Sequence, residues 1–246
     1  MKKLVAYITT GFPTPSFTVD LGLALSENGV DILELGIPFS DPVADGKIIE
    51  TANLKTLERG FKIDEVFEIT GKLSQKIDVY WMGYFNPFFH KGIDYFIEKA
   101  VSGGGKGFII PDLPHEEGLN YKNFIENCGL SLISFIAPTH PQERIRMIAK
   151  ESRGFIYLVA YAGITGSGAD EELLPIINEA KKVTDTPIFV GFGVNEKTAK
   201  KRAKGADGVI VGSAFMQILL DEGLTNSEKI SKITALSRVI KEEINS

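Results

Sequence analysis

Glu34 and Asp45 are the residues whose type and setting most directly suggest proton chemistry. Glu34 interrupts the otherwise apolar run DILELG at 31–36, and Asp45 lies near the end of LELGIPFSDPVADG at 33–46. Apolar surroundings disfavour the ionised carboxyl, so Glu34 is expected to have a raised pKa and to exchange a proton near neutrality. The competing reading is a structural glutamate paired with a cation, but no Lys or Arg stands at any other expected strand end. Asp45 alone reads as a turn residue in an Asp-Gly dipeptide, and Asp41 as a turn or cap former. Asp112, in IIPDLP, is open between a turn and a site role. A second constellation is glycine-rich: Gly163, Thr165, Gly166 and Gly168, then Gly191, Phe192 and Gly193, then Gly212 and Ser213. Backbone N–H groups in such loops hold an anion without Lys or Arg, which favours a phosphate over turns alone.

Absences narrow the reaction further. His90, His115 and His140 lack metal-ligand spacing, and no Lys is placed at a strand end for a Schiff base. No Ser–His or Cys–His pairing suggests an acyl-transfer nucleophile. Cys128 is the one cysteine, expected to be a small buried apolar residue. What remains is carboxylate acid–base catalysis on a small phosphorylated molecule in an apolar pocket.

These groups need a scaffold that brings strand ends together. Eight strand candidates recur: LVAYIT (4–9), DILELG (31–36), VYWMGY (79–84), GFIIPD (107–112), LSLISFIA (130–137), FIYLVA (155–160), PIFVGFG (187–193) and DGVIVGS (207–213). Each is nearly continuous in apolar character, as strands covered on both faces should be. Between them lie amphipathic stretches such as 16–29, 63–75, 142–152 and 172–184, and Ser227 to Ser246 reads as a last covering helix. The alternation predicts α/β units closing into a single (β/α)8 TIM barrel across residues 1–246, without a linker. A doubly wound sheet would carry a G-x-G-x-x-G after its first strand, where this chain has TTGFPTP. In a barrel, chemistry gathers at the C-terminal strand ends. Strand alternation puts Glu34 on the face of Ile32, with Leu33 and Leu35 toward the helices.

The chain has 246 residues and a net charge of −5, with no basic block suited to nucleic acid. No apolar run approaches the ~18 residues that span a membrane, and one cysteine suits a reducing cytoplasm. A soluble, cytoplasmic protein is the expectation.

LELGIPFSDPVADG, with MGYFNPF (82–88), PDLPHEE (111–117), AGITG (162–166), VGFGV (190–194) and DGVIVGSA (207–214), closely resembles the tryptophan synthase α subunit family over almost the whole chain. The resemblance implies a (β/α)8 lyase that splits indole-3-glycerol phosphate into indole and glyceraldehyde 3-phosphate. It assigns catalysis to Glu34 and Asp45, and the substrate pocket to Tyr7, Tyr84, Asp112, Tyr157 and Thr165. Phosphate contacts would come from Gly166, Phe192, Gly193, Gly212 and Ser213. Pro38, Asp41, Asn86 and Pro114 would face a β subunit that carries pyridoxal phosphate, in an α2β2 heterotetramer, leaving no cofactor or metal on this chain. The sequence departs from the family's pattern at Ala160–Tyr161, where a Ser-Arg pair is frequent, and at Lys47 and Glu50, where a proline and a glutamine are common. Three alternatives stay open: another phosphosugar barrel, a non-catalytic activator of a β subunit, and a stand-alone lyase. The first is disfavoured because the first and fifth strands end in Thr9–Thr10 and Ala137–Pro138 rather than in acids. The second predicts damaged carboxylates, and both are intact.

Overall fold

The computed structural model describes residues 1–160 and 173–246. Its strands are β1 (Lys3–Thr9), β2 (Ile32–Gly36), β3 (Asp78–Met82), β4 (Gly107–Ile109), β5 (Ser131–Leu132), β6 (Ser134–Ile136), β7 (Ile156–Val159), β8 (Ile188–Gly191) and β9 (Gly208–Val211). The helices are α1 (Pro15–Ser26), α2 (Lys47–Glu58), α3 (Asp64–Leu73), α4 (Phe85–Lys91), α5 (Ile93–Gly103), α6 (His115–Asn127), α7 (Gln142–Glu151), α8 (Leu173–Lys181), α9 (Ala199–Arg202), α10 (Ser213–Leu219) and α11 (Asn226–Asn245). Every strand pair is parallel, in the order β5-β4-β3-β2-β1-β9-β8-β7-β6. The expected barrel is therefore present, with one difference. The fifth expected strand is broken at Ile133: its first part pairs with β4 and its second with β7. The chain crosses the seam there, and the Ile133 N–H donates to the Phe108 carbonyl at 2.9 Å.

The two faces of each strand do different work. Leu33 points outward, where a Cβ on Gly22 of α1 would lie 3.3 Å from it. Trp81 also faces out, and its indole N–H donates to Thr70 of α3 at 2.8 Å. Residues of the opposite parity fill the lumen. Tyr80 meets Phe155 edge-on at 5.3 Å, and Phe155 meets Phe189 at 4.9 Å. These rings fill the lumen toward the barrel's floor, and a cavity opens among residues at the C-terminal strand ends and the loops after them.

The last helix does what its pattern predicts. Thr225 and Glu228 form a reciprocal capping box at the start of α11. Ile233, Ile240 and Ile244 of that helix are buried, and it packs against α1, α9, α10 and β1.

Candidate active site

Glu34 sits in the middle of β2, paired in register with Tyr7 on β1 and Tyr80 on β3. It is 1% exposed. Its Oε1 is buried without a hydrogen-bond partner among the described residues. Burial, reinforced by the charge of Asp45, pushes its pKa up to about 8. The strand-parity argument therefore holds: the carboxyl points into the lumen among apolar walls.

Asp45 approaches from the loop between β2 and α2. That loop is fixed by two hydrogen bonds, Asp45 N–H to the Pro42 carbonyl at 2.9 Å and Ala44 N–H to the Tyr84 hydroxyl at 3.0 Å. Burial raises the Asp45 pKa to about 6, and a hydrogen bond with Tyr84 limits the rise by favouring the ionised form. Its Oδ2 is also buried without a partner among the described residues. Both carboxyls are shifted upward and Glu34 the further, so as pH rises Asp45 ionises first and Glu34 keeps its proton longer.

Both carboxyls line a cavity of about 710 Å³. Tyr7, Tyr157, Ile49, Met82 and Ile210 form much of its wall, and no Lys or Arg is among its described lining. Two glycines make room for the tyrosines: a Cβ on Gly36 would lie 2.2 Å from the Tyr7 hydroxyl, and one on Gly191 would lie 2.3 Å from the Tyr157 ring. On one side Phe192, Gly193, Gly212 and Ser213 gather from the ends of β8 and β9. Phe192 has φ 71°, the one non-glycine residue with positive φ among the described residues. Such a backbone costs about 1–3 kcal/mol and persists where the surroundings enforce it. Here its ring faces Tyr157 at 6.0 Å.

The other expected site residues divide. Thr165 and Gly166, like Tyr161, lie outside the described residues. Asp112 is exposed and lines a separate cavity of about 320 Å³ beside α6 and α7. Its carboxylate accepts the Phe85 N–H at 2.8 Å, so it braces the start of α4 rather than facing Glu34. Tyr84, stacked on Phe39 at 5.4 Å, reaches the site through Asp45 and Ala44. Asp41, Asn86 and Pro114 are exposed, whereas Pro38 is buried within the chain. Cys128, expected to be buried, is exposed, because α6 ends there and the residue caps it at the surface. Among the described residues no group of three or more His, Cys, Asp and Glu could hold a metal. No helix of the described chain is long and apolar enough to cross a membrane.

Sequence reasoning missed several wall residues. Met82 and Ile210 carry a signal, the lumen parity of their strands. Leu236 comes from α11, distant in sequence, and nothing local marks it.

Residues 1–245 match the family described as Tryptophan synthase alpha chain. Among curated proteins, the chain is 56% identical over 247 residues to the tryptophan synthase alpha chain of Wolinella succinogenes, covering 100% of this chain and 97% of that one. It is 39% identical to that of Dehalococcoides mccartyi, covering 99% and 96%. Among solved structures, tryptophan synthase subunit alpha from Campylobacter jejuni is 35% identical with a TM-score of 0.87, covering 96% of this chain and 95% of that one. Tryptophan synthase from M. tuberculosis in an aminoacrylate-bound form is 31% identical with a TM-score of 0.86, covering 99% and 93%.

Proposed function

The chain belongs to the tryptophan synthase alpha chain family, lyases of tryptophan biosynthesis, and from that membership we propose that it cleaves indole-3-glycerol phosphate into indole and glyceraldehyde 3-phosphate through Glu34 and Asp45. The observation that carries this reading is the pair itself: two carboxyls in one largely apolar cavity, each with a buried oxygen that has no hydrogen-bond partner among the described residues.

In this mechanism the neutral Glu34 protonates C3 of the indole ring. The ring nitrogen takes up the positive charge, and the ionised Asp45 accepts its N–H. The bond between C3 and the glycerol carbon then breaks, its electron pair returning to the ring. As that carbon becomes an aldehyde, its hydroxyl proton passes to the Glu34 carboxylate, which restores the starting acid. Neither a Schiff base nor a metal is required, because the protonated ring is its own electron sink. Tyr7 and Tyr157 would flank the substrate, with Thr165 also in the pocket and Gly166, Phe192, Gly193, Gly212 and Ser213 around the phosphate. Tyr84 and Asp112 act one step back, the first on Asp45 and the second on the start of α4.

The same proposal includes a β subunit bearing pyridoxal phosphate, an α2β2 assembly, no cofactor on this chain, one domain across residues 1–246 and a cytoplasmic location. It rests on the family rather than on any group seen here.

The test is indole release from indole-3-glycerol phosphate, with and without a β subunit, across pH. Wild type should show a bell in kcat/KM, rising as Asp45 ionises near pH 6 and falling as Glu34 loses its proton near pH 8. Glu34→Gln and Asp45→Asn should each lose about 10²–10⁴-fold. Full activity in Glu34→Gln, or no indole from wild type with its partner, overturns the assignment.

A further inference from the structure

The Tyr7 hydroxyl occupies a place that a plain apolar wall would not need. Tyr7 and Glu34 are register neighbours on β1 and β2. The tyrosine leans along the strands until its oxygen lies over Gly36, where any side chain would collide with it at 2.2 Å. That puts a hydroxyl on the lumen face just beyond Glu34, on the side from which Asp45 arrives.

Among the described residues, the titratable groups recorded around it are acids and tyrosines. Glu34 faces it from β2, Asp45 from the following loop, Tyr84 from the start of α4 and Tyr157 from β7. Burial and the Asp45 charge hold Tyr7 well above the ordinary phenol range, so it keeps its proton throughout the working pH. Its near neighbour is Thr9 Oγ1 at 3.4 Å, and the Thr9 hydroxyl in turn donates to Asn53 Oδ1 at 3.4 Å. Because Thr9 spends its one proton on Asn53, Tyr7 must be the donor to Thr9. Both contacts are long for hydroxyl hydrogen bonds, so this resting arrangement is weakly held.

We propose that Tyr7 is a positioning residue for Glu34: when Glu34 has given up its proton its carboxylate swings toward the Tyr7 hydroxyl, whose O–H turns from Thr9 to meet it, and both return when Glu34 regains the proton. The inference rests on the reading of Glu34 as the acid–base group. Its physical content is that a buried carboxylate without a partner is costly, and a neighbouring donor that the carboxylate reaches by a small side-chain shift supplies one only when charge is present. Tyr7 thereby stabilises the intermediate without holding Glu34 ionised at rest.

The experiment follows the Glu34 carboxyl directly, by ¹³C chemical shift across pH in the full-length chain, alongside steady-state lyase kinetics. Tyr7→Phe removes the donor, so the Glu34 midpoint should rise by about half to one pH unit, a 3- to 10-fold change. The corresponding kcat should fall about tenfold, with KM within about twofold. Thr9→Val removes the competing acceptor and should move the midpoint the opposite way. A structural role for Tyr7 does not produce shifts of opposite sign. An unmoved Glu34 midpoint in Tyr7→Phe, or shifts of the same sign in both variants, overturns the tyrosine's role alone. Full activity of Glu34→Gln instead removes the catalytic reading beneath it, so the two failures are distinct.

Discussion

Glu34 keeps its proton to about pH 8 in the folded chain, against an ordinary value of 4.5. Between these values the native state binds a proton that the unfolded state has lost, so stability falls as pH rises through that window. Glutamine at this position cannot ionise and removes the slope. Glu34→Gln is therefore expected to gain stability over wild type on going from pH 5 to pH 8, by on the order of 3 kcal/mol. Thermal unfolding of both proteins at the two pH values checks this, and parallel pH dependences would refute it. The same anomaly is what makes Glu34 legible in sequence, since an ionisable residue inside an apolar strand needs a reason. Asp45 has no such signal, because an Asp-Gly turn looks the same whether or not its carboxyl is buried. Its place became visible through the family resemblance, and the Tyr84 contact that fixes it joins residues distant in sequence. Asp112 shows the converse: a strand-end acid of the right type is here occupied with the Phe85 N–H.

At the scale of elements, strands covered on both faces reveal themselves as apolar runs, which is why all eight expected strands are found. The break at Ile133 is not readable, because it depends on which neighbour each half pairs with. Closure of the helical layer depends likewise on a contact between chain ends. Asp31, just before β2, accepts the Leu4 N–H of β1 at 2.8 Å and the Lys241 ammonium of α11 at 2.5 Å, with Lys3 at 3.1 Å. Burial alone would raise the Asp31 pKa, but these donors outweigh it and hold the carboxyl below its ordinary value. Its contribution is thus present at neutral pH and is lost as pH falls through that depressed value. Asp31→Ala is expected to cost roughly 1–3 kcal/mol in urea unfolding at neutral pH, because Lys241 and the Leu4 N–H lose their shared acceptor. The cost should shrink in acid. A variant as stable as wild type at neutral pH would show that the Asp31 contacts do not help to hold α11.

Across the whole molecule, the exposed surface nearest the site is mechanically close to its chemistry. Asp41 and Asp45 share one loop, and Asn86 lies two residues beyond Tyr84, whose hydroxyl holds that loop through the Ala44 N–H. The start of α4 is itself braced by Asp112. A partner seated on Asp41, Asn86 and Pro114 would press on both ends of the arrangement that places Asp45, without touching the substrate. Phe89, on the same helix as Asn86, is 68% exposed, an apolar surface of the kind that interfaces cover. On the proposed assembly, the free chain is expected to release indole slowly and to be accelerated by a β subunit whose contact with this surface would fix the Asp45 loop. Asn86→Lys would bring an unpaired cation into that contact, where desolvation opposes it. Titrating β subunit against indole release should then require at least about tenfold more partner for half-maximal stimulation, a loss of about 1.4 kcal/mol in association. An unchanged midpoint would place the partner on another face and leave the Tyr84–Asp45 linkage without a role in coupling.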